Sequence, residues 1–314
     1  MENDYHGHAN GHRHADAHPD HGHLDYGRAF AIGAALNIAY VSGEAVAGIV
    51  SGSLSLLADA GHNLGDVLGL FLSWGAAVLS RRQPSGRFTY GLRSSSILAA
   101  LANALILLVV TGGIAWEALG RIAHPVPVAS AIVVWVAAAG ILVNGVTALL
   151  FASGRRRDLN LKSAFLHMAA DTLVTAAVAA TGIAISLTGW LWLDPVASLF
   201  VSAVIVIGTW GLVKSAIGLA LNAVPEGVEA AAVRTHLLAV PGVTALHDLH
   251  IWGMSTTETA LTCHLVMPDG HPGDAFLSLL AHELQHRFGI AHTTIQIELA
   301  DTDEICTLTP EHVV

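Results

Sequence analysis

Two copies of one short pattern, His-x-x-x-Asp, lie inside long apolar stretches of this chain: His62 with Asp66, and His167 with Asp171. Residues four apart share one face of a helix, so each pattern sets an imidazole beside a carboxylate. Each ionisable group at the centre of a bilayer costs about 3 kcal/mol or more, and its presence there marks a functional site by default. Two such faces brought together offer two nitrogens and two oxygens, the donor set of a tetrahedral zinc site. A hard cation such as magnesium or calcium wants roughly six or more oxygens, which this set lacks. Cadmium, cobalt and nickel stay open beside zinc, because nitrogen and oxygen donors do not separate these ions sharply by affinity.

The elements that position these residues are legible in the composition. Of the 314 residues 53% are apolar and 12% charged, and the mean hydropathy is +0.59. A soluble globular chain carries about 25% charged residues, so a membrane protein is indicated. Six stretches, near 28–50, 56–80, 94–119, 129–152, 161–187 and 195–220, each approach the roughly 20 residues needed to span a bilayer. No cleavable signal peptide is expected, since the residues before the first stretch are polar and lack an apolar core. If the spans alternate in direction, Arg28, Arg81, Arg82, Arg87, Arg93, Arg155, Arg156, Arg157, Lys162 and Lys214 fall on one side and Arg121 on the other. The basic side is cytoplasmic by the positive-inside rule, so both termini are expected in the cytosol.

Polar segments flank the spans. Residues 1–27 hold His6, His8, His12, His14, His18, His21 and His23 among Gly, Asp and Asn, a composition that reads as a disordered metal-capturing tail or as a solvated tail with a bias. Residues 302–314 are a short polar tail. Between 221 and 301, GVEAAAVRTHLLAV and GDAFLSLLAHELQHRFG read as amphipathic helices, and VTALHDLHIWGM, TALTCHLVM and TTIQIEL as strands. That order suits a small α+β layer with both helices on one face of the sheet. His282-Glu283-Leu284-Gln285-His286 matches H-E-x-x-H, the zinc metalloprotease pattern. On a helical wheel, however, Phe276, Leu280, Leu284 and Phe288 form the apolar stripe, which leaves His282 and His286 facing solvent.

These stretches resemble the cation diffusion facilitator family of divalent-metal transporters, and within it the zinc-exporting branch with a His-Asp/His-Asp membrane site. The similarity runs from about residue 27 to 300 and rests on SGSLSLLADAGHNLGDVLGL, YGLRSSSILAALANALILL, VNGVTALL around Asn144, FLHMAADTL, WLDPVASLFVSAVI, VPEGV, PGVTALHDLHIW and TIQIE. It implies an α-helical membrane protein of six transmembrane helices over 28–220, followed by a cytosolic ferredoxin-like αββαβ domain over 221–301. It also implies a homodimer in a bacterial inner membrane that exchanges Zn2+ for protons and acts on neither nucleic acid nor a cofactor. Carried over by residue, the transport site is His62, Asp66, His167 and Asp171. Asp59 accompanies it, either lining an external mouth or serving as a helix N-terminal charge. Glu44, Asn37 and Asn144 are expected as interhelical hydrogen-bond partners.

A second metal site in the soluble domain is implied for His247 and His264 on adjacent strands with Glu298 or Gln296 from the last one. His250, His292 and Asp274 are further candidates. Alternation places Cys263 and His264 on opposite faces, and no disulfide between Cys263 and Cys306 is expected in the cytosol. The chain departs from its relatives after Tyr90-Gly91. Where they carry a basic residue, a small residue and a glutamate, it has Ser94, Ser95 and Ser96, so the cytoplasmic-side charge pair or gate contact assumed for the family does not carry over at these positions. The competing functions are a metal-sensing membrane scaffold and a metalloprotease using Glu283, and neither gives the intramembrane charges a role.

Overall fold

The apolar stretches fold as six long helices because a backbone in lipid must satisfy its own hydrogen bonds. In the computed structural model, which describes residues 26–152 and 159–299, these are α1 (Tyr26–Ser51), α2 (Leu54–Ser80), α3 (Ser95–Ala123), α4 (Ser130–Ala152), α5 (Leu159–Thr188) and α6 (Leu193–Ala220). The helices α2 to α6 are long and apolar enough to cross a membrane, and the stretch Ile38–Ser51 of α1 is apolar as well. Trp74, Val109, Trp116, Trp135, Leu187 and Ile207 project from the outside of the bundle. Such a belt would promote aggregation in water and is lipid contact in a bilayer. The stacked indoles of Trp190 and Trp192, 5.9 Å apart at the α5–α6 turn, suit the membrane interface.

The position of α2 is fixed from both its end and its flank. Gly52, with φ of 69°, turns the chain from α1 into α2, a conformation that L side chains rarely adopt. Ser53 caps the helix by accepting from Leu56 N at 3.2 Å. Asp194, in the first turn of α6, then receives four hydrogen bonds at that end. They come from Ser53 Oγ (2.6 Å), Leu54 N (2.7 Å), Ser55 Oγ (2.7 Å) and Ser55 N (3.3 Å). The carboxylate is fully buried, and the partial positive charge of the helix N-terminus joins the donors in compensating its lost hydration. Along the flank, Gly61, Gly65 and Gly69 face α3. A Cβ on Gly65 would stand 2.9 Å from Leu107 Cδ1, and one on Gly69 2.9 Å from Asn103 Nδ2. Small residues at this spacing let two helix backbones close up where no hydrophobic driving force operates between them.

The C-terminal domain contains α7 (Ala230–Leu238), β1 (Ala245–Gly253), β2 (Thr259–Val266), α8 (Asp274–Phe288) and β3 (Ile290–Glu298), the expected αββαβ order. Its sheet runs β1-β2-β3, with the first pair antiparallel and the second parallel. Val233, Leu237, Leu280 and Leu284 of the helices pack against Leu246, Ile251, Leu261, Cys263 and Leu265 of the strands, so both helices cover one face. His264 points the other way from the buried Cys263, as alternation requires. Gly289, at φ of 72°, ends α8 and turns the chain into β3.

The β1–β2 turn docks on the membrane bundle. Arg93 Nη1 meets Glu258 Oε2 at 2.6 Å, Ser94 Oγ donates to Met254 O at 3.2 Å, and Thr256 N donates to Ser96 Oγ at 3.1 Å. Arg93 supplies the charge contact of this junction, and two of the three serines carry the rest of it through hydroxyls.

Two measurable outcomes follow from this packing. Asp194→Ala leaves buried donors unsatisfied and should destabilise the detergent-solubilised protein by about 3 kcal/mol, visible as a lowered thermal transition. An unshifted transition would refute this role. In the soluble domain, burial and then the nearby Asp248 carboxylate push the Cys263 thiol up to about 12, against an ordinary 9.0. The unfolded thiol gives up its proton first, so stability should fall as pH rises from 9 to 12, and Cys263→Ala should remove that one-proton slope.

Candidate functional site

His62 and Asp66 stand on α2 and His167 and Asp171 on α5, and the two helices bring their faces together. The contacts cross between helices: His62 Nε2 lies 3.2 Å from Asp171 Oδ1, and His167 Nε2 lies 3.3 Å from Asp66 Oδ2. The contacts within each helix are longer, 4.0 Å for His62 to Asp66 and 3.6 Å for His167 to Asp171. The imidazoles meet edge to face with centroids 6.2 Å apart. Donors held tetrahedrally at about 2.0–2.1 Å from zinc are about 3.4 Å from one another, so three of these four separations already match a bound ion. His62, Asp66 and Asp171 each place a donor atom within 4.8 Å of the others.

The cluster opens in one direction. A cavity of about 640 Å3 reaches it, lined by Asp66, His167 and Asp171 and, further along, by Asn103, Asn144 and Thr147. Ser73 lines this cavity and also the neighbouring one at the C-terminal domain, which Glu258 borders. The opening therefore faces the end of the bundle that carries that domain. On the opposite side Ser55, Leu56, Ala58, Asp59 and Val178 are buried and close the helices over the site. Asn103 was not singled out by sequence. It sits in an apolar run without a charged neighbour, and its Oδ1 is buried without a hydrogen-bond partner.

The other expected polar residues divide. Glu44 accepts from Asn63 Nδ2 and from Tyr40 Oη, each at 3.0 Å, as an interhelical hydrogen-bond partner should. Asn144 lines the cavity, whereas the side chain of Asn37 lies outside the described residues. The helix-terminal reading of Asp59 needs correction: it lies beyond the first turn of α2, and that task falls to Asp194. Asp59 is fully buried on the side where the helices close over the site.

In the C-terminal domain His247 and His264 face each other across β1 and β2, and Glu298 reaches them from β3. The separations are 3.2 Å from His247 Nε2 to Glu298 Oε2 and 2.8 Å from His264 Nδ1 to Glu298 Oε1. The three donor atoms form a metal-capable group. Gln296 is exposed and donates to Glu298 at 3.1 Å, which places it behind the carboxylate rather than at the centre. The structure adds Asp248, which strand alternation hides. A bulge between His247 and His250 sets Asp248 at φ of 51° and turns its carboxylate to within 3.5 Å of His264 Nε2 and 2.7 Å of His250 Nε2. An aspartate at a position tolerant of positive φ was the available signal. His292 instead packs against the Tyr90 ring, and Asp274 is an exposed residue of the first turn of α8.

His282 and His286 are exposed on the outer face of α8, as the wheel requires, with rings 4.2 Å apart. Glu283 is held by His236 Nε2 at 3.3 Å. Among the described residues these histidines belong to no group of three metal-capable side chains. The N-terminal histidines, Arg155–Arg157 and Cys306 lie outside the described residues.

Bilayer-length helices around a partly buried imidazole–carboxylate cluster, followed by a small α/β domain, define a multi-pass membrane protein whose cluster has the donor set for a cation. Comparison with known proteins is specific. Residues 30–219 match the cation efflux transmembrane domain and residues 225–300 the cation efflux protein cytoplasmic domain. The cation efflux system protein CzcD of Alcaligenes sp. (strain CT14) is 34% identical over 278 residues, covering 88% of both chains. The zinc transporter ZitB of Pectobacterium atrosepticum is 34% identical over 289 residues, covering 91% of this chain and 90% of its own. A cadmium, cobalt and zinc/H(+)-K(+) antiporter of Bacillus subtilis is 32% identical over 264 residues, covering 82% and 85%. The chain belongs to the cation efflux family of membrane transporters.

The one-sided cavity has a testable signature. With Cys263 and Cys306 replaced by serine, a cysteine at Thr147 should react with a membrane-impermeant thiol reagent added on the C-terminal-domain side, and a cysteine at Leu56 should not. Equal labelling of both would show that the bundle is not closed at the α2 N-terminus.

Proposed function

We propose that this protein exports divalent transition metal, zinc first, from the cytosol in exchange for protons, and that His62, Asp66, His167 and Asp171 carry the ion across. The observation that supports this best is the cross-helix pairing of the four side chains, whose spacing suits a tetrahedral ion and whose cavity opens toward the C-terminal domain. Two carboxylates balance the charge of a divalent ion, so the loaded site is neutral and avoids much of the cost of an uncompensated charge in lipid. The ion requires neutral imidazoles and ionised carboxylates, so loading expels protons. Without metal, each imidazole has a carboxylate of the other helix to share a proton with. Protons arriving from the far side then displace the ion once the helices reopen there, and exchange follows from competition for one set of atoms. The antiporter named among the relatives fits the same scheme, and its name supports cadmium and cobalt as further substrates in this reading.

Both termini are placed in the cytosol and the protein in a bacterial inner membrane, working as a homodimer. His247, His264 and Glu298, with Asp248 and His250 beside them, are assigned to a regulatory metal site in the cytosolic domain. The protein has no enzymatic activity in this reading, and the H-E-x-x-H stretch is a solvated helix face.

The test is zinc flux into proteoliposomes under an imposed pH gradient. The native chain should accumulate zinc, and Asp66→Ala and His167→Ala should fall to the level of protein-free vesicles. Flux that survives in both variants would remove these residues from the pathway.

A further inference from the structure

Beside the cluster lies a second pair of acids that metal binding does not use. Glu44 on α1 and Asp59 on α2 are buried, at 1% and 0% exposure, and Asn63, which donates to Glu44 at 3.0 Å, stands one turn after Asp59 on the same face of α2. Glu44 is partly satisfied by Tyr40 and Asn63. Asp59 is not: neither of its carboxylate oxygens has a hydrogen-bond donor. The neighbouring Thr175 hydroxyl is committed to Asp171 O at 2.9 Å, and Asp194 is held at the end of α2. Two ionised carboxylates in a dry interior, with both oxygens of Asp59 lacking a donor, are left with mutual repulsion and an unmatched set of acceptors. One proton resolves both defects, because a protonated carboxyl becomes a donor to its partner. A hydrated cation has no comparable access, since the cavity that reaches the transport cluster is lined by Asn63 and Asp171 but by neither Glu44 nor Asp59.

We propose that Glu44 and Asp59 form a proton-binding carboxyl pair, separate from the four metal-binding residues, that holds one proton when the site is empty and gives it up when metal is bound. The proposal rests on the metal–proton exchange described above. Two contacts link the pair to the cluster. Asn63, which donates to Glu44, adjoins His62, and the Thr175 hydroxyl beside Asp59 is bonded one turn back to the backbone of Asp171. The titratable groups facing the pair are Tyr40 from α1 and His62 and Asp171 from α2 and α5, while α4 presents Gly140, whose missing side chain makes room for the Tyr40 hydroxyl. The proton passes as H+ between one carboxylate oxygen and water. No bond other than O–H forms or breaks.

The test counts protons released per zinc bound by the full-length protein in detergent, by calorimetry at one pH in buffers of different ionisation enthalpy. Asp59→Asn should still bind zinc and release about one proton fewer than the native chain, since one site of a coupled set has been removed. Glu44→Gln, which keeps a carbonyl oxygen for Tyr40, should show the same deficit and carries the test if Asp59→Asn does not fold. A native proton count in the variants that bind zinc overturns the proposal. Failure of the exchange reading itself is distinguishable, because the native chain would then release no protons on binding zinc.

Discussion

The burial of Asp194 at the N-terminus of α2 is the constraint from which the rest of the membrane domain is positioned. A carboxylate with no exposure in a helical bundle needs several donors. Here they come from two serine hydroxyls and two backbone amides of one helix start. That requirement locks the first turn of α2 to the first turn of α6 and sets where along its axis every later residue of α2 stands. Asp59, His62, Asn63 and Asp66 follow within about three turns of the anchor. The glycine seam against α3 fixes rotation in the same way that the anchor fixes translation, since only the face bearing Gly61, Gly65 and Gly69 admits α3 at that distance.

Rigid placement matters because a tetrahedral donor set tolerates little error. The four imidazole–carboxylate separations range from 3.2 to 4.0 Å, and the longest, His62 to Asp66, is one of the two made within a single helix. A helix alone cannot bring residues four apart much closer than its own geometry allows, so the contacts that define the cluster depend on the approach of α5 to α2. The open side of the cluster is the side where Asp66 and His167 retain exposure, while Asp171 is enclosed.

The sequence makes much of this readable. The six helices follow from unbroken apolar runs, the imidazole–carboxylate cluster from two i, i+4 pairs of ionisable residues inside them, and the strands from alternation. What stays hidden depends on contacts between distant segments. Asp194 and Leu54 lie 140 positions apart, and nothing local distinguishes this aspartate from an interfacial one. Asp59 is ambiguous for the same reason: its type and spacing suit a helix end or a channel mouth, and only the packing of α1 and α5 around α2 buries it. Asp248 escapes because a bulge breaks the two-residue period on which strand reading depends. Asn103 has no charged companion to draw notice, yet it lines the cavity.

The junction between the β1–β2 turn and the bundle carries a consequence for how the two domains respond to solution conditions. Its single ion pair, Arg93 with Glu258, is about two-fifths exposed on both partners, and a pair of that kind contributes about 1 kcal/mol or less and weakens further with salt. Ser94 and Ser96 supply uncharged hydrogen bonds that ionic strength leaves largely intact. Domains joined in this way keep their register in a concentrated electrolyte, where a junction built on charge alone would loosen. The same two strands carry the His247–His264 pair toward the opposite end from the docked turn. The hydrogen-bonded ribbon therefore connects the histidines to the start of α3, where Ser94 and Ser96 hold the turn.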